Sequence, residues 1–123
     1  SIVSIFSETI TYGYDYKFIS EKTYIPLIKG HFILPYGYKG IVKDILDIGF
    51  KLPDWIDYSY DDYNDEKRFT QYCKSIDQLC NTDINDLIEL WHRDKYILEH
   101  NRNLFYTKPR VSLVDLISQK LNL

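Results

Sequence analysis

The chain has 123 residues, of which 45% are hydrophobic and 27% charged, with a formal net charge of -3. That length suits one domain, and the apolar content is too high for a disordered chain. A pI near 5.5 argues against nucleic acid as a partner, and no apolar run approaches the ~20 residues that span a bilayer.

From the N-terminus, Ser1 to Ile10 opens with Ile2, Val3, Ile5 and Phe6, a β-rich apolar run that predicts a buried strand. Thr11 to Lys17 reads as a tyrosine-rich loop centred on Gly13. Ser20 is a suitable N-cap for a helix running to about Lys29, with Gly30 as its C′ residue. Pro26 falls inside that helix. It either frees the carbonyl of Lys22 and bends the axis, or sets the helix start nearer Tyr24. His31 to Leu34 predicts a short apolar strand, and Pro35-Tyr36-Gly37-Tyr38 a turn. A second helix is expected from about Lys39 to Asp47, with Ile41, Ile45 and Ile48 inward and Gly49 at its end. Phe50-Lys51-Leu52 is a candidate last strand before Pro53.

Strand, helix, strand, helix and a further strand predict an α/β fold: a small parallel, Rossmann-like sheet with covering helices, followed by a helical C-terminal segment. The expected organisation is a single domain, with an α/β core over 1–53, an acidic loop over 54–66 and helices over 67–123. In the last part Phe69, Tyr72, Cys73, Ile76 and Cys80 recur at helical spacing. Thr82 or Asp83 can cap the next helix, whose expected face is Ile84, Leu87, Ile88, Trp91 and Leu98. Asn101 to Pro109 reads as a break, and Leu113, Leu116, Ile117 and Leu121 as a final amphipathic helix.

The chain opens on Ser1 without methionine, so a processed or excised piece is expected. Alanine is absent while Ile, Tyr, Lys, Asp and Asn abound. Their AT-rich codons point to an AT-rich genome, such as a virus, a phage or an AT-rich bacterium. With no signal peptide visible, the expected location is cytoplasmic, the host cytoplasm if viral. Cys73 and Cys80, seven residues apart, lie about 10 Å apart on one helix, too far for a disulfide. Two buried thiols are expected instead.

Ser20-Glu21-Lys22 is the most informative polar triad. Backbone N–H groups at a helix start attract anions. Lysine adds a mobile positive charge, and glutamate an acceptor suited to a sugar hydroxyl. The set suits a nucleoside diphosphate, although by spacing alone it is also an ordinary capped helix start. The acids from Asp54 to Glu66 lack EF-hand order and read as a solvated loop held by its tyrosines and Trp55. His92-Arg93-Asp94 lacks the asparagine a kinase catalytic loop needs, since Glu99 stands there. His31, His92 and His100 show no zinc-ligand spacing with the cysteines, and His31 reads as a packing residue. Tyr12, Tyr14 and Tyr16 alternate, as rings stacked on a base or sugar do, or as one side of a loop. Arg102, Lys108 and Arg110 form a basic surface cluster.

Phe6-Ser7-Glu8, then Tyr16-Lys17-Phe18-Ile19-Ser20-Glu21-Lys22, a helix, Gly30 and the strand His31-Phe32-Ile33-Leu34 form an ordered series. It resembles the donor-binding, C-terminal half of α1,3-fucosyltransferase-type enzymes, glycosyltransferases built from two Rossmann-like domains. It is also similar to glycosyltransferase-like proteins of phages and marine microbes. The resemblance covers roughly Ser4 to Arg68 and implies that Glu21 binds the donor ribose, Lys22 the pyrophosphate, and Glu8 lies near the sugar. Ser20, in the place of the family's threonine, and Tyr24 complete the implied donor-binding set. Thr9-Ile10 departs from the family's Asn-Ser at the donor-sugar contacts. No metal and no cofactor are implied beyond the nucleoside diphosphate sugar, which is the donor substrate. Catalytic residues are unassigned, because the family's acceptor site and general base belong to an N-terminal domain not seen in this chain. The isolated chain is therefore expected to be inactive in hexosyl or fucosyl transfer, its partners being a missing N-terminal domain or a second copy. The alternative class is a non-enzymatic interaction or structural module, such as a viral or phage accessory protein that kept the fold.

Overall fold

The computed structural model describes residues 2–8, 19 and 21–107. The expected loop over 11–17, Ser20, Lys108, Arg110 and the final helix around Leu113 to Leu121 lie outside these residues. In chain order the elements are β1 (Val3–Ser7), α1 (Glu21–Ile28), β2 (Phe32–Tyr36), α2 (Ile41–Ile48), a 3-10 turn (Ser59–Asp62), α3 (Asp65–Cys80) and α4 (Ile84–Thr107). The fold is mixed α/β, and its sheet, among the described residues, is the parallel pair β1–β2.

Register runs from Val3 opposite Phe32 to Ser7 opposite Tyr36. The Phe32 N–H donates to the Ile2 carbonyl and the Glu8 N–H to the Tyr36 carbonyl. A strand residue turns its N–H and C=O to the same side. Even-numbered residues of β1 therefore face β2, while Ile5 and Ser7 turn their peptide groups to the other edge. On β2, Phe32, Leu34 and Tyr36 face β1, and Ile33 and Pro35 face outward.

That outward edge of β2 is sealed by side chains. The Tyr58 hydroxyl donates to the Ile33 carbonyl at 2.7 Å, and the Tyr60 hydroxyl donates to the Pro35 carbonyl. The turn expected at Pro35-Tyr36 is thus corrected. β2 continues through both residues because the N–H that proline lacks would have faced away from β1, where nothing in the ladder needs it. Every residue of β2 is buried, whereas β1 alternates between half-buried and exposed.

α1 ends as expected. Gly30 adopts φ 79°, its N–H donates to Leu27, and the His31 N–H donates to Pro26 at 2.9 Å. These two bonds form a Schellman cap. Pro26 lies inside the helix. α2 places Ile41, Ile45 and Ile48 in the core at 2% exposure or less, and Gly49 closes it with φ 121°.

Four expectations for the second half change. Phe50 to Leu52 is not a strand; instead the Asn101 side chain accepts from the Lys51 N–H at 2.8 Å and donates to the Lys51 carbonyl at 2.9 Å. The expected break at Asn101 is absent, because α4 runs through to Thr107 and buries Leu98, Asn101 and Leu104. Its N-terminal face is open, with Ile84 and Ile88 exposed. Cys73 and Cys80 are free thiols, yet Cys73 is half-buried and Cys80 exposed. Asp83 caps α4, accepting from the Asn85 N–H at 2.8 Å. α3 is tied to both strands through the Tyr72 hydroxyl, whose single proton is shared between the Leu34 carbonyl at 2.9 Å and the Phe6 carbonyl at 3.2 Å.

Candidate functional site

Both parallel strands end on the same side, and in α/β sheets ligands sit beyond the carboxyl ends of the strands. Two acidic clusters meet there. The first is built on Glu8, the residue following β1. Its side chain is 3% exposed and accepts a 2.7 Å hydrogen bond from the Thr23 hydroxyl, which is fully buried in the first turn of α1. Gly37, following β2, lies against it. A Cβ at Gly37 would stand 3.3 Å from the Glu8 Cβ and Cγ and 2.7 Å from the Ile41 Cδ1. Only glycine lets the β2–α2 loop approach so closely.

Of the sequence-derived set, Glu8, Lys22 and Tyr24 are described. Lys22 is exposed in the first turn of α1, one residue before Thr23. Tyr24 is half-buried, with its ring 6.3 Å from that of Phe50. Burial, reinforced by the charge of Glu8, pushes its hydroxyl well above the usual tyrosine range. Ser20 and the Glu21 side chain lie outside the described residues. Glu8 and the start of α1 therefore converge, through Thr23, a residue the sequence reading passed over.

The second cluster is built around α2. Asp61 accepts from the Val42 N–H at 2.9 Å and from Arg68 Nη2 at 2.7 Å. Arg68, 1% exposed, also donates to the Tyr38 carbonyl at 2.9 Å. Its guanidinium lies 4.6 Å over the Tyr36 ring. The Tyr38 hydroxyl donates to the buried Asp44 at 2.7 Å. Burial first, and then the Asp44 hydrogen bond, raise that hydroxyl far out of its ordinary range. The segment 54–66 is held by Trp55, Tyr58 and Tyr60, but Asp61 corrects its reading as a solvated loop, since this buried carboxylate caps α2 from outside the helix. It already supplies the negative charge that the α2 N-terminus attracts. The start of α1 is the other helix N-terminus at this end of the sheet, and Lys22 is exposed on it.

Other described polar residues make contacts within the fold. His31 Nδ1 lies 2.9 Å from the Ser4 hydroxyl, in keeping with a packing role, and burial lowers its pKa. Trp55 Nε1 donates to Asp94 at 2.9 Å, and Arg93 bridges Asp94 and Asp54.

No family model, curated protein or solved structure matches the chain.

Proposed function

We propose that the chain binds a nucleoside diphosphate sugar at the carboxyl end of the β1–β2 pair, as the donor-binding half of a glycosyltransferase. The observation that carries this reading is the buried Glu8–Thr23 hydrogen bond, which sets an acid at the end of β1 against the turn of α1 that bears Lys22. Lys22 neutralises the diphosphate, α1 contributes its N-terminal N–H groups, and Glu21 binds the ribose. Glu8 lies toward the sugar and Ser20 and Tyr24 border the donor. Catalysis of transfer needs an acceptor domain that supplies the base.

Titration calorimetry with GDP- and UDP-sugars tests this. Binding is expected in the range of about 0.1–1 mM for a half-site. Lys22→Ala should weaken it about tenfold, the equivalent of ~1.4 kcal/mol. No binding by the unaltered chain, or unchanged binding by Lys22→Ala, overturns the proposal.

A second reading, an interaction module without catalysis, is favoured by a different observation. An apolar groove of about 300 Å³ runs beside β1 on the flank made with the α3–α4 turn.

A further inference from the structure

The carboxyl end of the sheet has walls on both faces. Residues in register across a parallel pair turn their side chains to the same face, and the next residue along turns to the other. Glu8 points toward α1, where it meets Thr23. Tyr36, in register with Ser7, points the other way, onto α3, where its ring meets those of Phe69 and Tyr72.

Phe69 is the open member of that group. Helical spacing along α3 sets it with Tyr72, yet Tyr72 is buried and Phe69 is 57% exposed. Its ring is nevertheless oriented, edge-on to Tyr36 with centroids 5.8 Å apart and planes at 84°. Tyr36 is fixed in turn, because Tyr60 stacks on it at 6.5 Å, Tyr72 packs at 4.9 Å and the Arg68 guanidinium lies 4.6 Å from its centroid. Scattered exposed apolar side chains are ordinary. Phe69 differs from them in being braced by a buried aromatic cluster at the strand end where ligands of α/β sheets collect.

We propose that Phe69 stacks against the apolar C–H face of the sugar ring in a nucleoside diphosphate sugar, and so helps to select the sugar. This rests on the donor-site reading above. A diphosphate held by Lys22 and the start of α1 leaves its sugar beyond the tips of β1 and β2, with Glu8 on one side and Phe69 on the other. The Glu8 N–H donates to the Tyr36 carbonyl at 2.7 Å, so a single backbone contact joins the two walls. A pyranose carries hydroxyls around its rim and C–H groups on its face. A carboxylate suits the rim, and an aromatic ring suits the face. The base is the poorer occupant, since ribose on Glu21 keeps it on the α1 side, away from α3.

Titration calorimetry with GDP and UDP, and with GDP-fucose and UDP-glucose, separates the two claims. The bare diphosphates read Lys22 and α1, and the gain from bare to sugar-bearing nucleotide reads Phe69. In the unaltered chain at least one sugar should tighten binding about fivefold, the size of one aromatic contact. Phe69→Leu keeps apolar volume without a π face, and should abolish that gain while bare-diphosphate binding is unchanged. Phe69→Trp should retain the gain. In the unaltered chain, saturating the phenylalanine ring protons should transfer magnetisation to the sugar C–H protons. Diphosphate binding without any sugar gain, a gain that survives Phe69→Leu, or no such transfer overturns the inference and leaves the donor site standing. Binding of none of the four nucleotides overturns both.

Discussion

Asp61 and Arg68 are seven residues apart in sequence, and the short turn between them brings them into contact inside the fold. Taking two charges out of water is costly, so each depends on the other and on its remaining hydrogen bonds. Asp61→Ala would leave Arg68 buried without its counter-ion and the Val42 N–H without its acceptor. A loss of about 3–5 kcal/mol is expected, read as a lower midpoint in urea. Asp61→Asn, which can still accept from Val42, should fall between that variant and the unaltered chain. At Gly37 the constraint is volume. Gly37→Ala drives a methyl into Ile41 and the Glu8 stem, and an overpacking cost of about 1–3 kcal/mol is expected. Because it also displaces Glu8, that variant should weaken the proposed nucleotide-sugar binding more than its stability loss explains, which titration of the still-folded protein measures. The sequence marks Gly37 only as a turn glycine, since the side chains it must avoid come from β1 and α2.

At the scale of elements, the sealing of β2 is the central feature. A strand buried on every residue cannot leave outward carbonyls bare. Tyr58 and Tyr60 supply hydroxyls in place of a third strand. Tyr60→Phe keeps the ring among Tyr36 and Tyr72 but removes the donor to Pro35. It should cost about 1–3 kcal/mol, seen in thermal or urea denaturation, with faster amide exchange in β2. The unbroken apolar run Phe32-Ile33-Leu34 made the start of β2 legible in the sequence. Its extension through Pro35 was not, because a proline's tolerance depends on which edge it faces. α1 and α2 were legible almost to their ends, since Gly30 and Gly49 close them by local backbone geometry. α3 and α4 were legible as helices, but not in their faces. Phe69, Ile84 and Ile88 stand exposed where helical spacing put them inward.

At the scale of the whole molecule, α4 clamps the segment after α2. Asn101 holds Lys51, and Asp94 holds Trp55. Hydrogen bonds from Arg93 and then from Trp55 keep the Asp94 carboxyl below its usual range, against the opposing effect of its burial. The folded-state pKa therefore lies below the unfolded value of about 3.9. Over that interval the folded chain binds fewer protons, so stability rises with pH. The contribution is complete above about pH 4–5 and is lost as the pH falls through the folded value. Acid titration followed by tryptophan fluorescence should show this loss, and Asp94→Asn should flatten it.

By itself the sequence determined what nearest neighbours decide: the α/β alternation, the glycine-capped ends of α1 and α2, a cap for α4 at Thr82 or Asp83, and the inward isoleucines of α2. It also set Lys22 apart as a chemically distinctive residue, while Glu8 was pointed to only by the resemblance to a known family. Tertiary structure alone decided the register of β1 on β2, the hydroxyl seal on Ile33 and Pro35, the passage of α4 through Asn101, and the burial of Asp61 against Arg68. It also decided that Glu8 meets α1 through Thr23. The division follows from where the partners lie. Helix ends and apolar periodicity are satisfied within a few residues, whereas buried carbonyls, charges and strand edges in this chain find their partners across the fold.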